Sequence, residues 1–510
     1  MIPEVSTLAG LIAISSPFIS RTASAISKEE KIRLKSSLSG QIISLGAALA
    51  GLITILCNQS AAVPVEIIIP LLRFDITALF LMVAIFFIGS VVTAYSGRYL
   101  IAWTKRVEFV EGVTLLASIS AVMAASNNLL LSMIAWTGIS ICLWHLIKIS
   151  PRGSKSASAV LRYHLYSDIL FAIATISICL GYECYEFGKL GELTPRVALA
   201  FEIAGQNFSI SNLEILSTIL VLAFIVKSAL FPFHRWLVAT LDAPTPLSGL
   251  LHAGVVNIAA VAATRFFPLL QESPIALYTL AFFGTMSALF GTLVMSVQSD
   301  VKRKLVYSTV GQMGFMCLQC ATGLIPLAIF HLIAHGLFKC HLFLISGSAV
   351  EEGKIKTSWG IERVGGSKTN AIILTLTIAI ALGLILTKNL EVNLMTTAFV
   401  ATLAMLLLQI PSVARINLVF LAVATSAALC VAMLSHQFMH LFSDTINYGN
   451  RQFDLFLLSV GIIFTAQILI LLLRKTELGA ALYMLCLNRF YLEELFQRVV
   501  RGRVIKEKLQ

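Results

Sequence analysis

The sequence predicts an all-α polytopic membrane protein, and three observations carry that prediction: composition, the length of the apolar runs, and the alternation of basic residues between them. Hydrophobic residues make up 58% of the chain and charged residues only 12%, far from the balance of soluble domains. By length alone, 510 residues could form several soluble domains. The apolar runs overrule that reading, because one after another approaches the roughly 20 residues of a bilayer-crossing helix.

In order, spans are expected near Val5–Ser20, Leu38–Cys57, Phe74–Tyr95, Val110–Ala125, Asn127–Ile147, Ala159–Leu180, Leu213–Phe233, Thr245–Phe267, Ile275–Val297, Val306–Thr322 and Pro326–Val350. Four more follow near Ala371–Thr387, Leu394–Gln409, Asn417–His440 and Leu455–Leu473. That makes about 14 or 15 crossings by apolar run length. The uncertainty is Ala371–Gln409, which reads either as two spans or as one helix broken around Lys388, Asn389 and Asn393. At the amino terminus Glu4 precedes the first basic residue, Arg21, so this stretch reads as a first span and not as a removed signal.

Basic residues gather in alternate connections. Lys28, Lys31, Arg33 and Lys35 follow the first span, Lys105 and Arg106 the third, and Lys148, Arg152 and Lys155 the fifth. His234 and Arg235 follow the seventh, Lys302, Arg303 and Lys304 the ninth, and Lys354, Lys356, Arg363 and Lys368 the eleventh. The intervening connections are short or acidic, as in Gly181–Ser211 with four glutamates. The positive-inside rule then places the amino terminus outside and the basic loops in the cytoplasm. The net charge of +11 is accounted for by these loops and does not point to nucleic acid. From Thr476 onward, apolar and charged residues mix at helical spacing, as in LYMLCLNRFYLEELFQRVV, too charged to span. Residues 476–510 read as an amphipathic tail helix on the membrane surface or against a partner. Its basic end (Arg498, Arg501, Arg503, Lys506 and Lys508) favours the cytoplasm. The spans themselves fill residues 1–475.

Ionisable residues inside spans are costly and point to ion pathways. Lys227 ends an apolar run and is followed by Pro232, then by DAPTP, where Asp242, Pro244 and Pro246 interrupt the next helix start. Broken intramembrane helices are tolerated where backbone lines a cavity or faces protein. A lysine near a helix end can equally snorkel to the membrane boundary. Thr245, Ser248 and His252 share one helix face, as do His331, His335 and Lys339. Ser308, Gln312 and Gln319 form a similar stripe between them. A single histidine of this kind is more often a hydrogen-bonded core residue. Three polar stripes and two lysines in neighbouring spans favour a proton path. Asp168, one turn after His164, is an acid placed to counter Lys227, although His164 could satisfy it locally.

No metal site is expected. Lys339 would repel a cation near His331 and His335, and Cys317 with Cys320 lies in an apolar run with no second pair. No phosphate loop, nucleotide fingerprint or iron–sulfur cysteine array is present, so electron transfer by this chain is not supported.

These same residues carry a family resemblance. The stretch KSALFPFHRWLVATLDAPTPLSGLLHAGVVNIAAVAATRF, Lys227 through Phe266, resembles the core of the antiporter-like proton-translocating subunits of respiratory complex I and Mrp antiporters. SDVKRKLVYSTVGQMGFM and AIFHLIAHGLFKCHLFLISGS extend the likeness, which runs from about Asp75 to Ser348. It implies two inverted five-helix repeats with broken helices, here about residues 107–267 and 275–441. It also implies a relay through Lys227, His252, His331, His335 and Lys339. The family's complex I members carry a glutamate in a WEG motif; here AWTG puts Thr137 in its place, leaving Asp168 as the substitute acid. HAGVVN, Arg265 and LYMLCLNRFYLEELF are closer to the DabB family, the membrane subunits of DAB inorganic-carbon accumulation complexes. That likeness implies a bacterial inner-membrane protein without a cofactor of its own. Its partner would be a DabA-like zinc subunit resembling β-carbonic anhydrase, and its cargo protons or Na⁺. It would not itself be an enzyme: it would energise CO2 hydration to bicarbonate in the partner. The alternative implication is an ion-pumping subunit of a redox-driven respiratory or hydrogenase complex, or of an Mrp-type antiporter.

Overall fold

Helices account for nearly all of what the structure, a computed structural model, describes: residues 2–27, 29–58, 71–150, 153–203, 206–346 and 476–491, with positions 459, 462, 463 and 466. The spans expected from Ala371 onward and the basic end of the tail lie outside the described residues.

Six long helices come first: α1 (Ile2–Ile26), α2 (Glu30–Asn58), α3 (Ile76–Tyr99), α4 (Arg106–Ala125), α5 (Leu129–Ile149) and α6 (Ser154–Tyr182). Polar side chains set several starts by accepting the amide hydrogens that a first turn leaves free. Asp75 takes the Ala78 amide at 2.7 Å, and Asn128 takes those of Leu130 and Leu131 at 2.9 and 3.2 Å. After α6, a 3₁₀ turn (Phe187–Glu192) leads to a two-stranded antiparallel hairpin, β1 (Val197–Ile203) and β2 (Gln206–Ser211). The sequence reading had only a connection here. Ser211 then opens α7 (Asn212–Lys227) through a reciprocal capping box with Glu214.

The next two expected spans are both interrupted. The seventh stops at Lys227; Ala229 adopts a left-handed φ of 54°, and a short α8 (Arg235–Val238) follows. A continued helix would set the Pro232 ring against the Ser228 carbonyl, and Pro232 has no amide hydrogen to donate. The eighth divides into α9 (Thr245–Ala253), a 3₁₀ turn (Val255–Asn257) and α10 (Ile258–Leu270). The division falls at Gly254, followed by β-branched Val255 and Val256, a poor run for helix. Asp242 and Pro244 lie in the connection before α9, and Pro246 lies in its first turn. The interruptions within apolar segments are therefore at 228–234 and 254–257.

α11 (Pro274–Val297), α12 (Val301–Ala321) and α13 (Ile325–Ile345) complete the bundle. Among the described residues, eight segments are long and apolar enough to cross a membrane. α14 (Glu477–Leu487) packs on α11, and Phe490 just beyond it sits 5.8 Å from the Phe290 ring.

Small residues bring helices close where the site is built. A side chain at Gly291 or Gly314 would overlap the facing helix of the α11–α12 pair, and a Cβ on Gly336 would lie 2.7 Å from the Ala253 carbonyl oxygen. That contact seats α13 against the end of α9. Leu180 (74% exposed), Ile134 (64%) and Phe282 (59%) face outward, an apolar exterior suited to lipid. Across the bundle, Arg265 of α10 pairs with Asp75 at 2.6 Å and donates to the Ala124 carbonyl at the end of α4 at 2.6 and 3.1 Å.

Candidate functional site

Two buried basic clusters sit beside the two interruptions. Lys227 is the last residue of α7, and its side chain is wholly buried. It turns inward and does not snorkel. The ammonium donates to Asp168 Oδ1 of α6 at 2.9 Å, to Ser140 Oγ of α5 at 2.5 Å and to the Trp136 carbonyl at 2.8 Å. It also lies 4.5 Å from the Trp136 ring centre, close enough for a cation–π attraction. Three oxygens and an aromatic face thus replace the hydration shell that the ammonium gives up on burial.

Asp168 is therefore placed against Lys227. His164, the local alternative, does not take the carboxylate; its Nδ1 lies 3.2 Å from Ser140 Oγ, and Ser140 itself donates to Asp168 Oδ1 at 2.9 Å. Thr137, where the family pattern has its glutamate, is half-buried on α5. Sequence reasoning missed Ser140. Its signal was available, since Ser140 follows Thr137 by three residues and so shares its helix face.

The second cluster joins α9, α12 and α13. His252 Nδ1 lies 3.1 Å from Thr309 Oγ1, and its ring stacks on Phe343 with centres 4.3 Å apart. The two nitrogens of His331 lie 3.0 Å from Gln319 Oε1 and 2.9 Å from Gln312 Oε1. The His331 and His335 rings are 6.1 Å apart. Lys339, 1% exposed, donates to the Leu305 carbonyl at 3.0 Å. Of the expected α12 stripe, Gln312 and Gln319 hold His331, whereas Ser308 gives way to its neighbour Thr309. Thr245 meets Tyr99 at 3.3 Å and Ser248 the Ala243 carbonyl at 3.4 Å; both stay at the α9 start.

One hydrogen bond ties the two sites. Ser228, next to Lys227, donates to the Val256 carbonyl at 2.8 Å, so the interruption after α7 is bonded directly to the one between α9 and α10. Chemically, the arrangement offers a hydrogen-bonded lysine–carboxylate pair, and beside it buried histidines and a second lysine, inside a bundle whose exterior is apolar. Such side chains have protons to bind and release.

Comparison with known proteins gives the family and the fold. The family described as NADH:quinone oxidoreductase/Mrp antiporter, TM, matches residues 126–425. The probable inorganic carbon transporter subunit DabB1 of Halothiobacillus neapolitanus is 35% identical over 274 residues, 52% of this chain and 47% of that one. DabB2 of the same organism, also named a probable inorganic carbon transporter subunit, is 31% identical over 390 residues, 74% of this chain and 69% of that one. The chain thus spans about half the length of the first relative and about two thirds of the second. In fold it resembles a chain of the Mrp complex from Dietzia sp., with a TM-score of 0.53 and 21% identity, covering 95% of this chain and 52% of that one. With a family match over more than half its length and a broken helix ending on a buried lysine, the chain belongs to the NADH:quinone oxidoreductase/Mrp antiporter family of membrane subunits.

Proposed function

We propose that this chain conducts ions, protons above all, as the membrane subunit of an inorganic-carbon uptake complex, and that the resulting driving force energises CO2 hydration in a zinc-bearing, carbonic-anhydrase-like partner. The observation that carries the ion-conducting part is the Lys227–Asp168 pair. A wholly buried lysine with an acid at 2.9 Å, set at the end of a broken helix, is an expensive arrangement with no packing purpose. His252, His331, His335 and Lys339 supply further proton carriers in this reading. The carbon-uptake part is supported by the names of the relatives at 31% to 35% identity. The complex lies in a bacterial inner membrane, with the amino terminus outside and the tail in the cytoplasm.

The experiment is growth in ambient air of a bacterium lacking carbonic anhydrase, carrying this gene, the partner gene, or both. Growth should require both genes and should vanish with an uncoupler that collapses the proton gradient. Growth with this gene alone overturns the division of labour. No growth with both, together with measurable Na⁺/H⁺ exchange, replaces the carbon reading with an antiporter.

A further inference from the structure

Ser140 Oγ meets three titratable side chains from two other helices: Lys227 at 2.5 Å, Asp168 at 2.9 Å and His164 at 3.2 Å. A hydroxyl has one proton and two lone pairs. Lys227 donates into one lone pair, since an ammonium can only donate. The single serine proton then has two competing side-chain acceptors, the Asp168 carboxylate and His164 Nδ1, the latter when the ring carries its proton on Nε2; the Trp136 carbonyl lies farther off at 3.5 Å. Asp168 already receives Lys227 directly. His164 is wholly buried, set edge-on to Trp236 with ring centres 4.6 Å apart, and its Nε2 has no hydrogen-bond partner among the described residues. A histidine kept only for packing would gain by satisfying both nitrogens or by being apolar, because an unpaired buried polar atom is costly. Here one nitrogen touches the lysine's own hydrogen-bond partner and the other stands open.

We propose that Ser140 and His164 form a proton-accepting branch of the lysine site. Lys227 passes a proton to Ser140 Oγ while Ser140 passes its own to His164 Nδ1. One N–H bond breaks and one O–H forms; the former O–H breaks and a new N–H forms. The positive charge moves from ammonium to imidazolium, Asp168 stays a carboxylate between them, and the serine is unchanged. The imidazolium holds the proton and returns it to Lys227 by the reverse exchange through Ser140, which restores the starting tautomer with its proton on Nε2. This branch rests on the reading of Lys227 as an ion carrier and adds two residues to it.

The test uses the full chain in membrane vesicles, with proton flux under an imposed gradient read by a pH-sensitive dye. Lys227→Ala calibrates the underlying reading and should be inert. Ser140→Ala and His164→Gln should each lose about tenfold or more, less than the roughly 10²–10⁴-fold typical of a positioned proton-transfer group because water bridges part of the gap. Ser140→Thr, which keeps the hydroxyl, should stay within about threefold of the parent by the same reasoning. ¹⁵N NMR of His164 in the unmodified protein should show Nδ1 unprotonated and accepting, with a resonance that moves in Ser140→Ala; this readout holds even where His164→Gln fails to fold. Parental flux in His164→Gln beside an inert Lys227→Ala removes the branch and leaves the lysine reading standing. A loss in Ser140→Ala that threonine does not restore, or a protonated Nδ1 donating to Ser140, also overturns the branch. Parental flux in Lys227→Ala overturns both.

Discussion

Replacing Asp168 by asparagine removes one charge of a pair that the bundle encloses almost completely. At 2.9 Å and an effective dielectric constant of about 20, the attraction between the two charges is about 6 kcal/mol. That attraction offsets the loss of hydration of both ions, so the pair adds little net stability. What it prevents is an unpaired charge, and breaking such a pair from one side costs about 3–5 kcal/mol. Asp168→Asn and Lys227→Met should therefore each destabilise the protein by that amount, a large share of the roughly 5–15 kcal/mol that holds a domain folded. The double variant should recover most of the loss, because asparagine can keep the Ser140 hydrogen bond and methionine refills the apolar space. Thermal unfolding in detergent, followed by tryptophan fluorescence, gives the stabilities, and the vesicle assay gives flux. All three variants should be inert in flux, and Thr137→Glu, one turn before Ser140 on the same face of α5, should return part of the flux to Asp168→Asn. Additive single losses, with a coupling below about 0.5 kcal/mol, would mean that the two groups do not act as a pair. Parental flux in Asp168→Asn would refute its place in the path.

Lys227→Arg should also be inert: the guanidinium keeps its charge permanently and is too broad for a pocket of three oxygens within 2.9 Å, so a parental flux would show that only a fixed charge is needed. For orientation, a reporter fused after Lys155 or Lys304 should score as cytoplasmic and one after Glu192 as external; the opposite result at either kind of position reverses the topology.

Much of this architecture was legible because bilayer physics is strict about length and charge. Apolar runs located α2 through α6 within a few residues at most ends; that Asp75, Asn128 and Ser211 cap their helix starts came from the structure. Lys227 was conspicuous because a lysine in an apolar run demands compensation. Ser140 and Thr309 were not, because a hydroxyl in a transmembrane helix usually returns its proton to its own backbone, as Ser118 does to Thr114 and Thr285 to Ala281. The face that Ser140 shares with Thr137 is a weak pointer, and the contacts of α5 with α6 and with Lys227 are what show it turned to the lysine. The interruption at Gly254 escaped for a related reason: one glycine in a long apolar run is weak punctuation, and its consequence depends on what receives the freed backbone groups.

Those backbone groups explain why the interruptions persist. Within a bilayer each unpaired amide or carbonyl costs several kcal/mol, so a broken helix survives only where side chains take over the missing bonds. After α7, Trp236 Nε1 donates to the Val226 carbonyl at 3.1 Å, and the Phe231 amide donates to Ser287 Oγ of α11 at 2.9 Å. Between α9 and α10, the Asn257 amide side chain donates to the Ala253 carbonyl at 2.8 Å, and Ser228 takes the Val256 carbonyl. The Ser228 bond serves both breaks at once. It fixes the residue after Lys227 to Val256, four residues after His252, while Arg265 anchors the far part of α10 to α3 and α4. The backbone beside Lys227 is thereby bonded to the backbone just beyond the helix that carries His252, and neither break can close into regular helix without stripping a partner from the other.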